Sequence, residues 1–126
     1  MIILKKLRIN ESNEYDMYPD ELKRIFGYHF YSSMTNEDFF IISNNKSLCE
    51  RYGKELASVL SKGDSELSDE WFNDFFDNPP KGVYMTNPEH DYCDYNRQEK
   101  TWVVQLDDGW GDSFSIDLVG EYKSRF

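Results

Sequence analysis

The segment that most constrains the fold is residues 101–119, TWVVQLDDGWGDSFSIDLV. Apolar residues occupy every second position on both sides of its centre: Trp102, Val104 and Leu106 before it, Phe114, Ile116 and Leu118 after it. Because successive side chains of a strand point to opposite faces, this alternation predicts two strands, each with one buried face. Gly109 and Gly111 provide the positive φ angles of a tight loop, so we expect a hairpin with an acidic turn at residues 107–112.

Helical periodicity predicts two helices that cover this hairpin. Residues 47–62 place apolar side chains on one face at intervals of three and four, and Gly63 follows the last of them. Gly53 lies inside this helix, where it favours a close approach to the sheet despite its low helix propensity. A second helix is predicted over residues 69–76, with Ser68 as its N-cap.

The remaining segments predict further strands and connections. Strands are expected at residues 2–9, 38–43 and 83–86, with residues 28–31 forming a strand or an extended connection. Pro19 and the acidic residues after it predict a short helix that ends near Gly27. Residues 87–98 are predicted to be a loop and residues 121–126 a frayed end. The chain is therefore expected to be one α+β domain, with a mainly antiparallel sheet of four to six strands and two or three helices on one face.

Charge restricts the kind of partner that this chain can bind. Among its 126 residues, 24 are Asp or Glu and 14 are Lys or Arg, which gives a net charge of -10. Nucleic acids and anionic membranes are bound through cations that neutralise phosphates, so neither is expected as a direct partner. An acidic surface attracts a cationic protein instead. The sequence shows no apolar leader or membrane-length run, so we expect a cytoplasmic protein with Cys49 and Cys93 reduced.

Residue spacing gives little support for a metal site. A calcium-binding loop that started at Asp107 would have Gly109 and Leu118 where oxygen ligands are required. Zinc needs four ligands; two of the candidates, His90 and Cys93, lie three residues apart, but no Cys-x-x-Cys or His-x-x-x-His pair occurs. The available candidates are His29, Cys49, His90 and Cys93. We therefore expect no metal or other cofactor.

Catalytic motifs are also absent from the sequence, which favours a binding protein over an enzyme. Cys93, His90 and Asp91 form a conceivable nucleophile set, but adjacent loop residues rarely hold such a geometry alone. Neither a Gly-x-Ser-x-Gly elbow nor a glycine-rich phosphate loop occurs. A small metal-dependent or Cys/His-dependent hydrolase remains the alternative in which these residues act.

Aromatic residues recur within acidic segments that lack Lys and Arg. Tyr15 and Tyr18 lie in one such segment, a tyrosine pair in residues 87–96 in another, and an isolated tryptophan in the hairpin turn. Tyr and Trp are enriched at the centres of protein interfaces, and acidic rims speed the capture of a basic partner. The predicted partner-binding residues are Asp107, Asp108, Trp110 and Asp112 of the turn, assisted by Asp91, Tyr92, Asp94 and Tyr95.

The chain resembles the immunity proteins of bacterial toxin systems, in particular those of contact-dependent growth inhibition. The resemblance lies in a small, acidic, aromatic-rich α+β chain that contains QLDDGWGDSFSIDL at residues 105–118. It implies a cognate toxin partner, often a basic nuclease domain, whose active cleft is blocked by carboxylates that mimic phosphate charge. An acidic adaptor for some regulatory protein is the other alternative, since it would use the same surface for a different partner.

Overall fold

The computed structural model describes residues 23–32, 36–107 and 113–123, which form six strands and two helices. In chain order these are β1 (Lys23–Ser32), β2 (Glu37–Ser43), α1 (Lys46–Ser61), α2 (Ser65–Asp77), β3 (Val83–Met85), β4 (Tyr92–Asn96), β5 (Thr101–Gln105) and β6 (Ser113–Lys123). The strand predicted at residues 2–9 lies outside the described residues. Within the described ranges, α1 and α2 are the only helices, and neither is long and apolar enough to cross a membrane.

The six strands form a single sheet in the order β3-β2-β1-β6-β5-β4. All neighbours are antiparallel except β1 and β6, which run parallel at the centre. The predicted α+β class with a mainly antiparallel sheet is therefore confirmed. The hairpin is also confirmed, because β5 and β6 pair antiparallel with Trp102 opposite Ile116 and Val104 opposite Phe114.

A separate apolar cluster lies on each face of the sheet. One face packs under the helices, where α1 contacts β1, β2 and β6, and α2 contacts α1. The other face carries a cluster of apolar side chains to which neither helix contributes: Ile25, Phe40, Ile42, Val104, Leu106, Phe114 and Ile116. The Tyr84 hydroxyl of β3 donates a 2.9 Å hydrogen bond to Asp91, immediately before β4. Because β3 and β4 are opposite ends of the strand order, this contact shows that the sheet curls until its edges approach.

Helix α1 approaches the sheet closely because Gly53 faces Tyr28 of β1. A Cβ atom at Gly53 would lie 2.6 Å from the Tyr28 Cβ and would overlap the root of the ring. A Cβ at Gly120 of β6 would lie 2.8 Å from Cδ2 and from Cζ of the same ring. The Tyr28 ring therefore fits a slot between two glycines. The close approach of the helix to the sheet at Gly53 was predicted from the sequence.

The prediction of a helix that ends near Gly27 is wrong for the described residues 23–27. These residues begin β1, where Ile25 is buried and pairs with Ile116 of β6. A strand with neighbours on both sides satisfies its backbone groups through the sheet. This tertiary pairing outweighs the local signals for a helix start.

The second predicted helix exists but begins one turn earlier than expected. Its N-cap is Asp64, whose side chain accepts hydrogen bonds from the backbone N–H groups of Glu66 and Leu67. The predicted cap, Ser68, lies inside α2 and donates its hydroxyl proton to the Asp64 carbonyl oxygen. Gly63 adopts a φ of +68°, which ends α1 and allows the immediate start of α2.

Two segments predicted as irregular are strands. Residues 92–96 form β4 within the predicted loop, because they pair antiparallel with β5. The end of the chain does not fray at residue 121, because β6 continues to Lys123 alongside β1. In both segments the backbone pairing depends on a partner strand and not on local sequence.

Candidate partner-binding surface

The predicted partner-binding residues that the structure describes gather at the β4 edge of the sheet. Asp107 follows β5 and is exposed, while Tyr92, Asp94 and Tyr95 belong to β4. The structure brings the start of β4 close to the end of β5, since Tyr92 pairs with Gln105. Three further predicted residues lie outside the described residues: Asp108, Trp110 and Asp112.

Asp91 has a structural position and is not part of the exposed surface. Its side chain is 6% exposed and accepts three hydrogen bonds. One oxygen accepts from the Tyr84 hydroxyl and the Asn87 N–H, both at 2.9 Å, and the other accepts from the Asp107 N–H at 3.0 Å. Asp91 therefore holds Asp107 beside the start of β4, so its contribution to a binding surface is to position a neighbour.

The two tyrosines of β4 are exposed on opposite faces of one strand. Tyr92 is 63% exposed and Tyr95 is 42% exposed. Tyr92 lies on the same face as Asp94, whereas the Tyr95 ring packs 5.5 Å from the Trp102 ring on the other face. Within the described part of the chain, β4 pairs only with β5, so its outer edge presents backbone N–H and C=O groups between the two tyrosines.

Charge is unevenly distributed along this edge. Near the start of β4 the exposed charged groups are acidic, namely Glu89, Asp94 and Asp107. The turn between β4 and β5, at the opposite end of the strand, carries the cations Arg97 and Lys100 together with Glu99. The acidic end is therefore the end that is suited to a basic partner.

Sequence reasoning missed a buried histidine beneath Trp102. His29 of β1 is 3% exposed, and its ring lies 4.8 Å from Trp102 and 4.9 Å from Phe40. Its Nε2 lies 2.7 Å from an Asp38 carboxylate oxygen and its Nδ1 lies 3.0 Å from a Glu121 oxygen. Only the pairing register could have revealed this group, because Glu121 is brought opposite His29 by the parallel contact of β1 and β6.

The His29 group ties three strands together and does not form a metal site. Its carboxylates bind opposite nitrogens of the ring, so they do not converge on one point. Among the described residues, no three His, Cys, Asp or Glu side chains are arranged to hold a metal ion. The hydrogen bond from His29 is the main reason that the pKa of Glu121 is lowered, an effect that burial partly opposes.

Neither Cys49 nor Cys93 has the low thiol pKa of a catalytic nucleophile. Burial raises the pKa of Cys93 to about 11, with a weaker opposing effect of the hydrogen bond with Thr86. Burial also raises the pKa of Cys49 to about 12, and its thiol donates to the Ile41 carbonyl oxygen. Both thiols stay protonated at neutral pH, whereas a catalytic cysteine reacts as the thiolate. The hydrolase alternative therefore gains no support from this geometry.

No match to this chain was found among protein-family models, curated proteins or solved structures.

Proposed function

We propose that this protein is an inhibitor of the immunity type, which binds a cognate basic toxin domain and blocks its active site. The observation that carries the proposal is the β4 edge, where Tyr92, Asp94, Tyr95 and Asp107 surround a strand edge that pairs with no other described residue, in a chain of net charge -10. A nuclease is the favoured toxin class, because its cleft is built to receive phosphates. The proposed location is the cytoplasm, where such a toxin meets nucleic acid.

The chemistry of this surface suits a cationic cleft. Asp94 and Asp107 would pair with the Lys and Arg groups that otherwise bind substrate phosphates. The acidic charge accelerates association and orients the partner, while buried aromatic area slows dissociation. Tyr92 and Tyr95 can supply that area at low entropic loss, because each tyrosine has few rotatable bonds. The outer edge of β4 can also hydrogen-bond to an extended segment of the toxin.

A co-expression experiment tests this proposal. The C-terminal domain encoded by the reading frame immediately upstream is expressed with and without this protein, and cell survival is measured. We expect the wild-type chain to protect cells, and the pair Tyr92→Ser and Asp94→Asn to reduce protection strongly. Leu118→Ser is the matched control, because Leu118 is 47% exposed and lies on β6, away from the β4 edge.

The outcomes separate inhibition from the alternatives. Protection that is unaffected by the β4 substitutions would refute the role of this edge. A toxic domain that the wild-type chain fails to neutralise would refute inhibition of that cognate toxin. Binding without protection would instead favour the acidic adaptor, which shares the surface but not the inhibited active site.

A further inference from the structure

An open apolar groove lies at the end of the molecule where α1 meets α2. It has a volume of about 310 Å³ and is bounded by the end of α1, by α2 and by the ends of β1, β2 and β6. Its apolar lining consists of Phe30, Phe39, Leu60, Phe72 and Tyr122. A cavity of roughly 150 Å³ takes up a benzene ring, so this groove has room for one or two large apolar side chains.

Helix α2 extends this apolar surface beyond the groove. Phe72 and Phe76 are one turn apart, and their rings stack with 6.4 Å between centroids and 14° between planes. Phe72 lines the groove, whereas Phe76 is 61% exposed. A large exposed aromatic ring beside an open apolar groove is typical of a contact surface.

The next stripe around α2 is acidic. At 100° per residue, Asp69 lies on the stripe of Phe72 and Phe76, and the adjacent stripe carries further carboxylates. These are Glu66, Glu70 and Asp77, all of them exposed. No residue of α2 is Lys or Arg, and the ion pairs among the described residues involve none of its carboxylates. Among the described residues, the α2 side of the groove therefore carries negative charge with no ion-pair partner, whereas Lys62 and Lys123 adjoin the groove residues Gly63 and Tyr122.

We propose that this groove binds a cationic amphipathic segment of a partner protein. Apolar side chains of the segment would enter the groove against Phe72 and Phe76, and its Lys or Arg residues would face the acidic stripe of α2. An acidic segment would meet like charge at the rim, and an uncharged one would leave the carboxylates unpaired. Charge and shape together thus select a helix with apolar residues on one face and basic residues on the other. The inference is independent of the proposed function, because it concerns α2 and not the β4 edge.

A model peptide tests the inference directly. The probe is an 18-residue peptide of Lys and Leu with Leu at helical spacing, compared with a scrambled peptide of identical composition and charge. Binding is measured by calorimetry at low and high salt, and amide chemical shifts locate the contact. We expect the amphipathic peptide to bind, to shift the amides of Leu60 and Phe72, and to bind more weakly at high salt.

Matched substitutions decide whether the groove is responsible. Phe76→Ser should weaken peptide binding at least about tenfold, whereas Leu118→Ser, at an exposed apolar position of β6 outside both the groove and the β4 edge, should leave it unchanged. Replacing Glu66, Asp69 and Glu70 by their amides should remove most of the salt dependence. The inference is overturned if the peptide fails to bind, if the scrambled peptide binds as well, or if Phe76→Ser binds like the wild type.

Discussion

The slot that holds Tyr28 gives the sharpest test of the packing. Gly53→Ala places a methyl group 2.6 Å from the Tyr28 Cβ, where the neighbouring atoms belong to the root of a buried side chain. The Tyr28 Cβ cannot move without shifting β1 itself, and the ring already lies directly against Gly120. The substitution should therefore destabilise the protein even though alanine favours helices.

The expected change in the free energy of unfolding is the difference between two opposing effects. Overpacking a core costs typically 1–3 kcal/mol, and a contact of this severity belongs near the upper limit. Replacing glycine by alanine within a helix returns about 1 kcal/mol. The net loss is about 2 kcal/mol. With an unfolding entropy of roughly 2.1 cal/mol/K per residue, the 126-residue chain should show a Tm lower by about 8 °C.

Urea unfolding followed by circular dichroism measures the effect, with Ser58→Ala as a control at an exposed position of the same helix. In the background of Tyr28→Ala, where Cγ and the ring are removed and only Cβ remains, Gly53→Ala should lose most of its penalty. A Gly53→Ala protein that is as stable as the wild type would refute the close packing. Equal penalties in both backgrounds would show that the Tyr28 ring is not the cause.

Three further predictions concern Asp91, Glu121 and Cys93. Asp91→Ala should lower the free energy of unfolding by about 3 kcal/mol because three donors lose their acceptor, whereas Tyr84→Phe should lower it by about 1 kcal/mol; urea unfolding checks both. The pKa of Glu121 is lowered in the folded state, so its stabilisation is present above the ordinary value of 4.5 and is lost as the pH falls through the lowered value. The wild type and Glu121→Gln should therefore differ in free energy of unfolding by at most about 1 kcal/mol at neutral pH. This difference should disappear below the lowered pKa. With its pKa raised to about 11, Cys93 should react with iodoacetamide at pH 8 about 100-fold more slowly in the folded than in the unfolded chain, as mass spectrometry can measure.

The sequence predicted those elements whose signals are local. The alternation of residues 101–106 and 113–118 is sufficient for β5 and β6, and the apolar stripe of α1 is sufficient for its helix. The start of β1 was missed because its strand state comes from pairing with β2 and β6. Strand β4 was missed because its sequence, YCDYN, is as polar as a loop and pairs on one side alone within the described residues.

The candidate sites were predictable only in part. Tyr92, Asp94 and Tyr95 could be chosen from composition, since exposed aromatics among acids suggest an interface. Asp91 looked identical to its neighbours in sequence, and only the three donors around it reveal a buried carboxylate. The α2 groove could not be predicted, because its lining comes from segments as distant as residues 30 and 122.

In the proposed function, the acidic β4 edge captures a basic toxin domain. The most direct measurement is a calorimetric titration of the upstream-encoded C-terminal domain with this protein, at low and at high salt. We expect one-to-one binding in the nanomolar range that weakens with salt and that Tyr92→Ser weakens by about 2 kcal/mol or more. Absence of binding, or binding that is insensitive to both salt and Tyr92→Ser, would refute the capture of this domain by the β4 edge.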